Sequence, residues 1–136
     1  MTTGRSTLER HKYVETFPAN SEELRNIRSS LRAWVTEQGI PPPVGENLLI
    51  AVSEATSNTA RHAYPESAGG HVTIQVTLGA RALEVAVSDE GQWQHEHGHP
   101  GFGMKIIEST VDDFRIDRTT KGTHLTFKLP LREERQ

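Results

Sequence analysis

Between Glu54 and Arg61 the chain reads E-A-T-S-N-T-A-R, inside a run from Val44 to Tyr64. Leu48, Leu49, Val52, Ala55 and Thr59 recur there at helical spacing. Glu54 and Asn58 are four residues apart, so a helix presents both on one face. Arg61 follows Asn58 by three residues and continues that face. A carboxylate, a carboxamide oxygen and a guanidinium in one row suit the handling of a metal-bound triphosphate. Taken alone, such a triplet is more often a solvated helix face.

Three further motifs lie downstream. Asp89 and Gly91 stand at the end of an alternating apolar run, in D-E-G-Q-W. A buried carboxylate at a strand end can accept an exocyclic amine, and a glycine beside it lets backbone approach a flat ring. Asp-x-Gly is also a common plain turn. The segment G-H-P-G-F-G-M places Gly98, Gly101 and Gly103 around Phe102 and Met104, ahead of a helical pattern. Glycines at a helix start leave N–H groups pointing outward, which is how phosphates are cradled. Gly122-Thr123 opens the last apolar run. It offers one hydroxyl to the site, and a hairpin turn explains its glycine equally well. His95, His97 and His99 alternate around Glu96 and could share a transition metal. Spacing of two in a loop guarantees no shared geometry, so the sequence favours a polar lid. Histidine charge would make such a lid sensitive to pH near 6.5.

The elements that must hold these residues follow from periodicity. Tyr13, Val14 and Phe17 predict a short strand that Pro18 stops. Asn20 or Ser21 caps a first helix carrying Leu24, Ile27, Leu31, Trp34 and Val35, and Gly39 ends it. The run Pro41 to Pro43 separates it from the second helix, which ends near Ala63. Residues His71 to Leu78 and Leu83 to Val87 alternate and form a hairpin through Gly79 to Arg81. A third helix is predicted over Phe102 to Val111. Strands Phe114 to Ile116 and Leu125 to Leu129, joined at Lys121-Gly122, close the chain. The order β, α, α, β, β, α, β, β predicts an α+β two-layer sandwich, a mixed sheet with helices on one face.

With 136 residues the chain is read as one domain, 8–130, between loose ends at 1–7 and 131–136. Fifteen Lys and Arg against 18 Asp and Glu give a net charge of −3, unlike the basic footprint of a nucleic-acid binder. There is no cysteine, which excludes disulfides and thiolate metal sites. No apolar run nears the roughly 20 residues of a membrane span, and a cytoplasmic location is the expectation.

Together the four motifs, in this order, resemble the GHKL ATPase superfamily, which includes gyrase, histidine kinases and bacterial anti-sigma factor serine kinases. The last group matches most fully. Phe17-Pro18, the arginine-rich stretch Arg25 to Arg32, S-E-A-x-x-N-x-x-x-H-A-Y-P at Ser53 to Pro65, the glycine loop and Gly122-Thr123 all resemble its short members. The resemblance spans about Tyr13 to Leu129.

It implies an ATP- and magnesium-dependent kinase with Glu54 as general base and Asn58 as magnesium ligand. Arg61 would face the phosphates, and Asp89 would read adenine beside Gly91 with support from Thr123. Gly98, Gly101 and Gly103, with Phe102 and Met104, would wrap the phosphates under a lid at Gln92 to Pro100. His62 and Tyr64 would pack at the helix end. The implied partners are an anti-anti-sigma (STAS) protein as substrate and a sigma factor as captive, with a homodimer as the assembly. Trp93 departs from the pattern, standing where the superfamily has a second glycine, and the lid is short. Both features suit an alternative: a non-catalytic module that only sequesters its partner.

Overall fold

The computed structural model describes residues 11–62, 70–91 and 111–131, excepting the side chains of 60–62. Five strands and two helices form within these spans: β1 (Lys12–Pro18), α1 (Leu24–Gln38), α2 (Pro42–His62), β2 (His71–Leu78), β3 (Ala82–Asp89), β4 (Asp112–Thr119) and β5 (Gly122–Pro130). A single 3-10 turn, Ser21–Glu23, leads into α1. Of the two expected caps it is Asn20 that acts: its Oδ1 accepts from the Glu23 N–H at 3.1 Å. Ile27, Leu31, Trp34 and Val35 are the buried face of α1.

Gly39 stops α1 in the left-handed region at φ 70°, where a side chain would be strained. Its N–H bonds to the Thr36 carbonyl at 3.1 Å, and that of Ile40 to Val35 at 3.2 Å. Two of the helix's last four carbonyls, those of Val35 and Thr36, are thus satisfied as the chain turns. The proline run does not separate the helices, as the sequence suggested. Pro42 and Pro43 form the first turn of α2 itself. A helix's first N–H groups have no intrahelical acceptor, so proline loses nothing there and brings a preset φ. The Pro41 carbonyl takes the first bonds, from the N–H groups of Val44 and Gly45 at 3.0 Å each.

The strands run in the order β1-β2-β3-β5-β4. All four ladders are antiparallel, so the sheet is not mixed as the element order suggested. The physical reason lies in the connection from β1: two successive helices return the chain to the sheet end it left. The two-layer α+β architecture is as expected, with the helices on one face.

That face is apolar in cross-strand rows. Val76, Val85 and Phe127 make one, and Ile74, Val87 and Leu125 make the next. All six are at most 3% exposed. At about 1.5–3 kcal/mol per buried side chain, these rows and the inward faces of the helices are the main force closing the sandwich. Tyr13 and Phe17 extend the core along β1. The Tyr13 hydroxyl meets Ser30 Oγ at 2.9 Å, tying β1 to α1. Burial pushes this phenol above its ordinary value, and the Ser30 bond offsets part of that rise.

Strand β4 is longer than the expected Phe114 to Ile116. It lies at the sheet edge, where only Phe114 and Ile116 are half-buried among charged neighbours, so its alternation is faint. A register shift between Asp112 and Arg115, with Asp113 at φ 52°, bends it. Charge and a bulge together guard an edge against pairing with another chain. The expected helix at Phe102 to Val111 lies outside the described residues save Val111, which is buried. The expected lid at 92–100 and the chain ends at 1–7 and 132–136 also lie outside them. Among the described residues no helix is long and apolar enough to cross a membrane.

Among the described residues, Trp34 Nε1 and Thr56 Oγ1 are buried side-chain atoms with no hydrogen-bond partner. Thr56 is fully buried on α2. Replacing it by isosteric valine removes an unsatisfied hydroxyl, so Thr56→Val is expected to raise stability by about 1 kcal/mol. Urea unfolding checks this, and a loss of stability would show that the hydroxyl is satisfied after all.

Candidate functional site

Helix α2 changes character along its length. Its earlier turns bury Leu48, Leu49, Ala51, Val52 and Ala55, and its later ones bury Thr56, Asn58 and Thr59. The sheet changes in the same way. After two apolar rows, the next row on the inner face is Val72, Asp89 and Thr123. The five buried polar residues found among the described residues are these: Thr56, Asn58, Thr59, Asp89 and Thr123. They come from α2 and from adjoining ends of β3 and β5. Buried polar groups cost stability unless they are partnered, so a cluster of them at one end of a core marks a site.

Asp89, the last residue of β3, is 8% exposed. Its two carboxylate oxygens have separate donors. The Gly91 N–H bonds to Oδ1 at 3.0 Å, and the Thr59 hydroxyl to Oδ2 at 3.3 Å. A carboxylate has about four acceptor positions, so it can bond several donors at once, a ligand's N–H group among them. Gly91 is buried beside it.

Gly122, at φ 145°, is required by the close approach of two backbones. A Cβ at this position would run into the Asp89 carbonyl and lie 2.8 Å from Glu90 Cα. The hairpin turn alone does not account for this glycine. Thr123 follows it, directly opposite Asp89 and 4% exposed.

On α2, Asn58 is 1% exposed, and its Nδ2 donates to the Glu54 carbonyl at 2.9 Å. That bond orients the amide and leaves Oδ1 as its acceptor atom. Glu54 is half-buried one turn earlier. Its neighbour Ser53 accepts from Arg28 Nη1 at 3.4 Å, which brings α1 beside the motif. Arg61 and His62 lie on α2, but their side chains are outside the described residues. Tyr64, Trp93, Gly98, Gly101, Phe102, Gly103 and Met104 also lie outside them, as do His95, His97 and His99. Among the described residues no group of three or more His, Cys, Asp or Glu could hold a metal ion.

The histidine kinase-like ATPase domain family matches residues 17–129. The chain belongs to that family. Within it the chain is similar to the serine-protein kinase RsbW of Bacillus subtilis, 32% identical over 123 residues that cover 76% of this chain and 77% of that one. RsbW of Listeria monocytogenes is 30% identical over 117 residues, covering 73% and 74%. Among solved structures, the RsbU and RsbW domains of Rv1364c from Mycobacterium tuberculosis match with a TM-score of 0.71 at 24% identity. That likeness concerns the fold: it covers 87% of this chain but only 32% of the other.

Two residues of this site were not singled out from the sequence. Thr59 counts there as one of the core-facing positions of the second helix. A hydroxyl in an otherwise aliphatic stripe was the available signal. Thr56 carries the same signal one turn earlier. The value of Gly122 lies in its contact with Asp89, which a spacing argument cannot reveal. Gly122→Ala is expected to cost about 3 kcal/mol or more, because neither backbone can retreat without breaking the β3–β5 ladder. Thermal unfolding measures the loss, and a shift of only a degree or two would show that the strands part easily.

Proposed function

We propose that this chain is an ATP-dependent protein serine/threonine kinase of the anti-sigma factor type. The observation that carries the reading is the buried Asp89 carboxylate, held by Thr59 and Gly91 where the apolar rows of the sheet give way to polar residues. Its family and its similarity to RsbW serine-protein kinases support the same reading.

In this account Asp89 accepts the exocyclic amine of adenine, Gly91 lets backbone lie against the ring, and Thr123 adds a hydroxyl. Asn58 would hold a magnesium ion through its Oδ1, with the amide oriented by the bond from its Nδ2 to the Glu54 carbonyl. The donor chemistry fits, since magnesium takes oxygen ligands and few of them from protein. When bound, the ion neutralises phosphate charge. Glu54, one helical turn from Asn58, takes the proton of the attacking serine hydroxyl. Phosphoryl transfer asks mainly for positioning and charge neutralisation, so a short row on one rigid helix is suited to it. Arg61 would face the phosphates and Gly98, Gly101 and Gly103 would wrap them, with Phe102 and Met104 beside the nucleotide and Trp93 stacking over the adenine or closing the pocket.

The protein substrate is an anti-anti-sigma protein of the STAS type, and the captive partner is a sigma factor. The chain acts in the cytoplasm as a homodimer. Glu54→Gln removes the base while keeping shape and hydrogen bonding. It is expected to bind ATP like the wild type and to transfer phosphate to the STAS partner at least 100-fold more slowly, on the scale of general-base catalysis. Radiolabel transfer from ATP measures this. Undiminished transfer would remove Glu54 as the base. Absence of transfer in the wild type, with ATP and partner both bound, would favour the non-catalytic sequestering module.

A further inference from the structure

We propose that Thr59 is a positioning residue for base recognition: its hydroxyl sets the plane of the Asp89 carboxylate, and so the preference for a purine bearing a 6-amino group. The inference rests on the reading of Asp89 as the adenine contact. A carboxylate on Cβ turns about a broad, roughly two-fold torsion, so a single hydrogen bond leaves its plane undetermined. The Gly91 N–H fixes Oδ1 at 3.0 Å but lies in the same turn as Asp89 and moves with it. Thr59 Oγ1, on α2, supplies the second fixed point by donating to Oδ2 at 3.3 Å. The Thr59 hydroxyl is the donor in this bond.

Thr59 is itself anchored. It is 3% exposed on a helix packed against the sheet, and a β-branched side chain in a helix has few rotamers. The bond is longer than the roughly 2.6 Å of a strong hydroxyl–carboxylate pair. Little change in overall affinity is expected from so long a bond, and the readout is discrimination between ligands. Helix α2 would then serve both ends of the nucleotide, with Glu54 and Asn58 toward the phosphates and Thr59 behind the base.

The test is calorimetric titration of the full chain, with magnesium, using ATP and purine riboside triphosphate, which lacks the 6-amino group. Thr59→Ser and Thr59→Ala both lose the methyl and differ only in the hydroxyl, and Thr59→Val keeps the shape without it. The wild type and Thr59→Ser are expected to prefer ATP by about tenfold, the worth of one hydrogen bond to a charged group. In Thr59→Ala and Thr59→Val the preference should fall to about two-fold or less, with purine riboside triphosphate bound as before. A purely structural role would weaken both ligands together and leave the ratio intact. Equal ratios in Thr59→Ser and Thr59→Ala overturn the proposal, even if Thr59→Val fails to fold. No preference in the wild type instead overturns the reading of Asp89, and this inference with it.

Discussion

A buried carboxylate has to be held, and the way Asp89 is held organises the rest of this molecule. Its two oxygens take bonds from different parts of the chain, Thr59 on α2 and Gly91 in the turn after β3. Its backbone carbonyl is approached by β5 so closely that only glycine fits at position 122. Helix, turn and neighbouring strand thus converge on one residue. Leaving a group of this kind unpaired in a core would cost several kcal/mol, so the contacts form together or the end of the sandwich opens.

The gradient from apolar to polar along both α2 and the sheet follows from this constraint. Cross-strand rows of Val, Ile, Leu and Phe close the sandwich over most of its length and fix the register. The same register then places Asp89 opposite Thr123. A slip of β3 by one residue would send Asp89 to the open face, where Ser88 Oγ and His124 Nδ1 now meet at 2.8 Å. The packing that stabilises the fold is also what aims the site.

Much of this was legible in the sequence because burial has a period. The alternation of Val72, Ile74 and Val76 and of Leu83, Val85 and Val87 identifies β2 and β3, and the spacing of Glu54 and Asn58 puts them on one face. Other features are settled by tertiary contacts. The proline run reads as a break because proline is excluded from a helix interior, yet the first turn accepts it, and Pro42 and Pro43 stand there. Edge strand β4 is faint because a strand with little to bury shows little alternation. Thr59 passes as a core residue because its hydroxyl acquires a role only when β3 brings Asp89 beside α2. Gly122 reads as a turn glycine for the same reason.

The central claim is that the polar end of the sandwich binds a magnesium nucleotide through Asp89. Calorimetric titration of the wild type and of Asp89→Ala with ATP, with and without magnesium, tests it most directly. The account predicts magnesium-dependent binding by the wild type that is lost in a folded Asp89→Ala. Binding that survives this substitution, or a wild type silent at millimolar ATP, would contradict it.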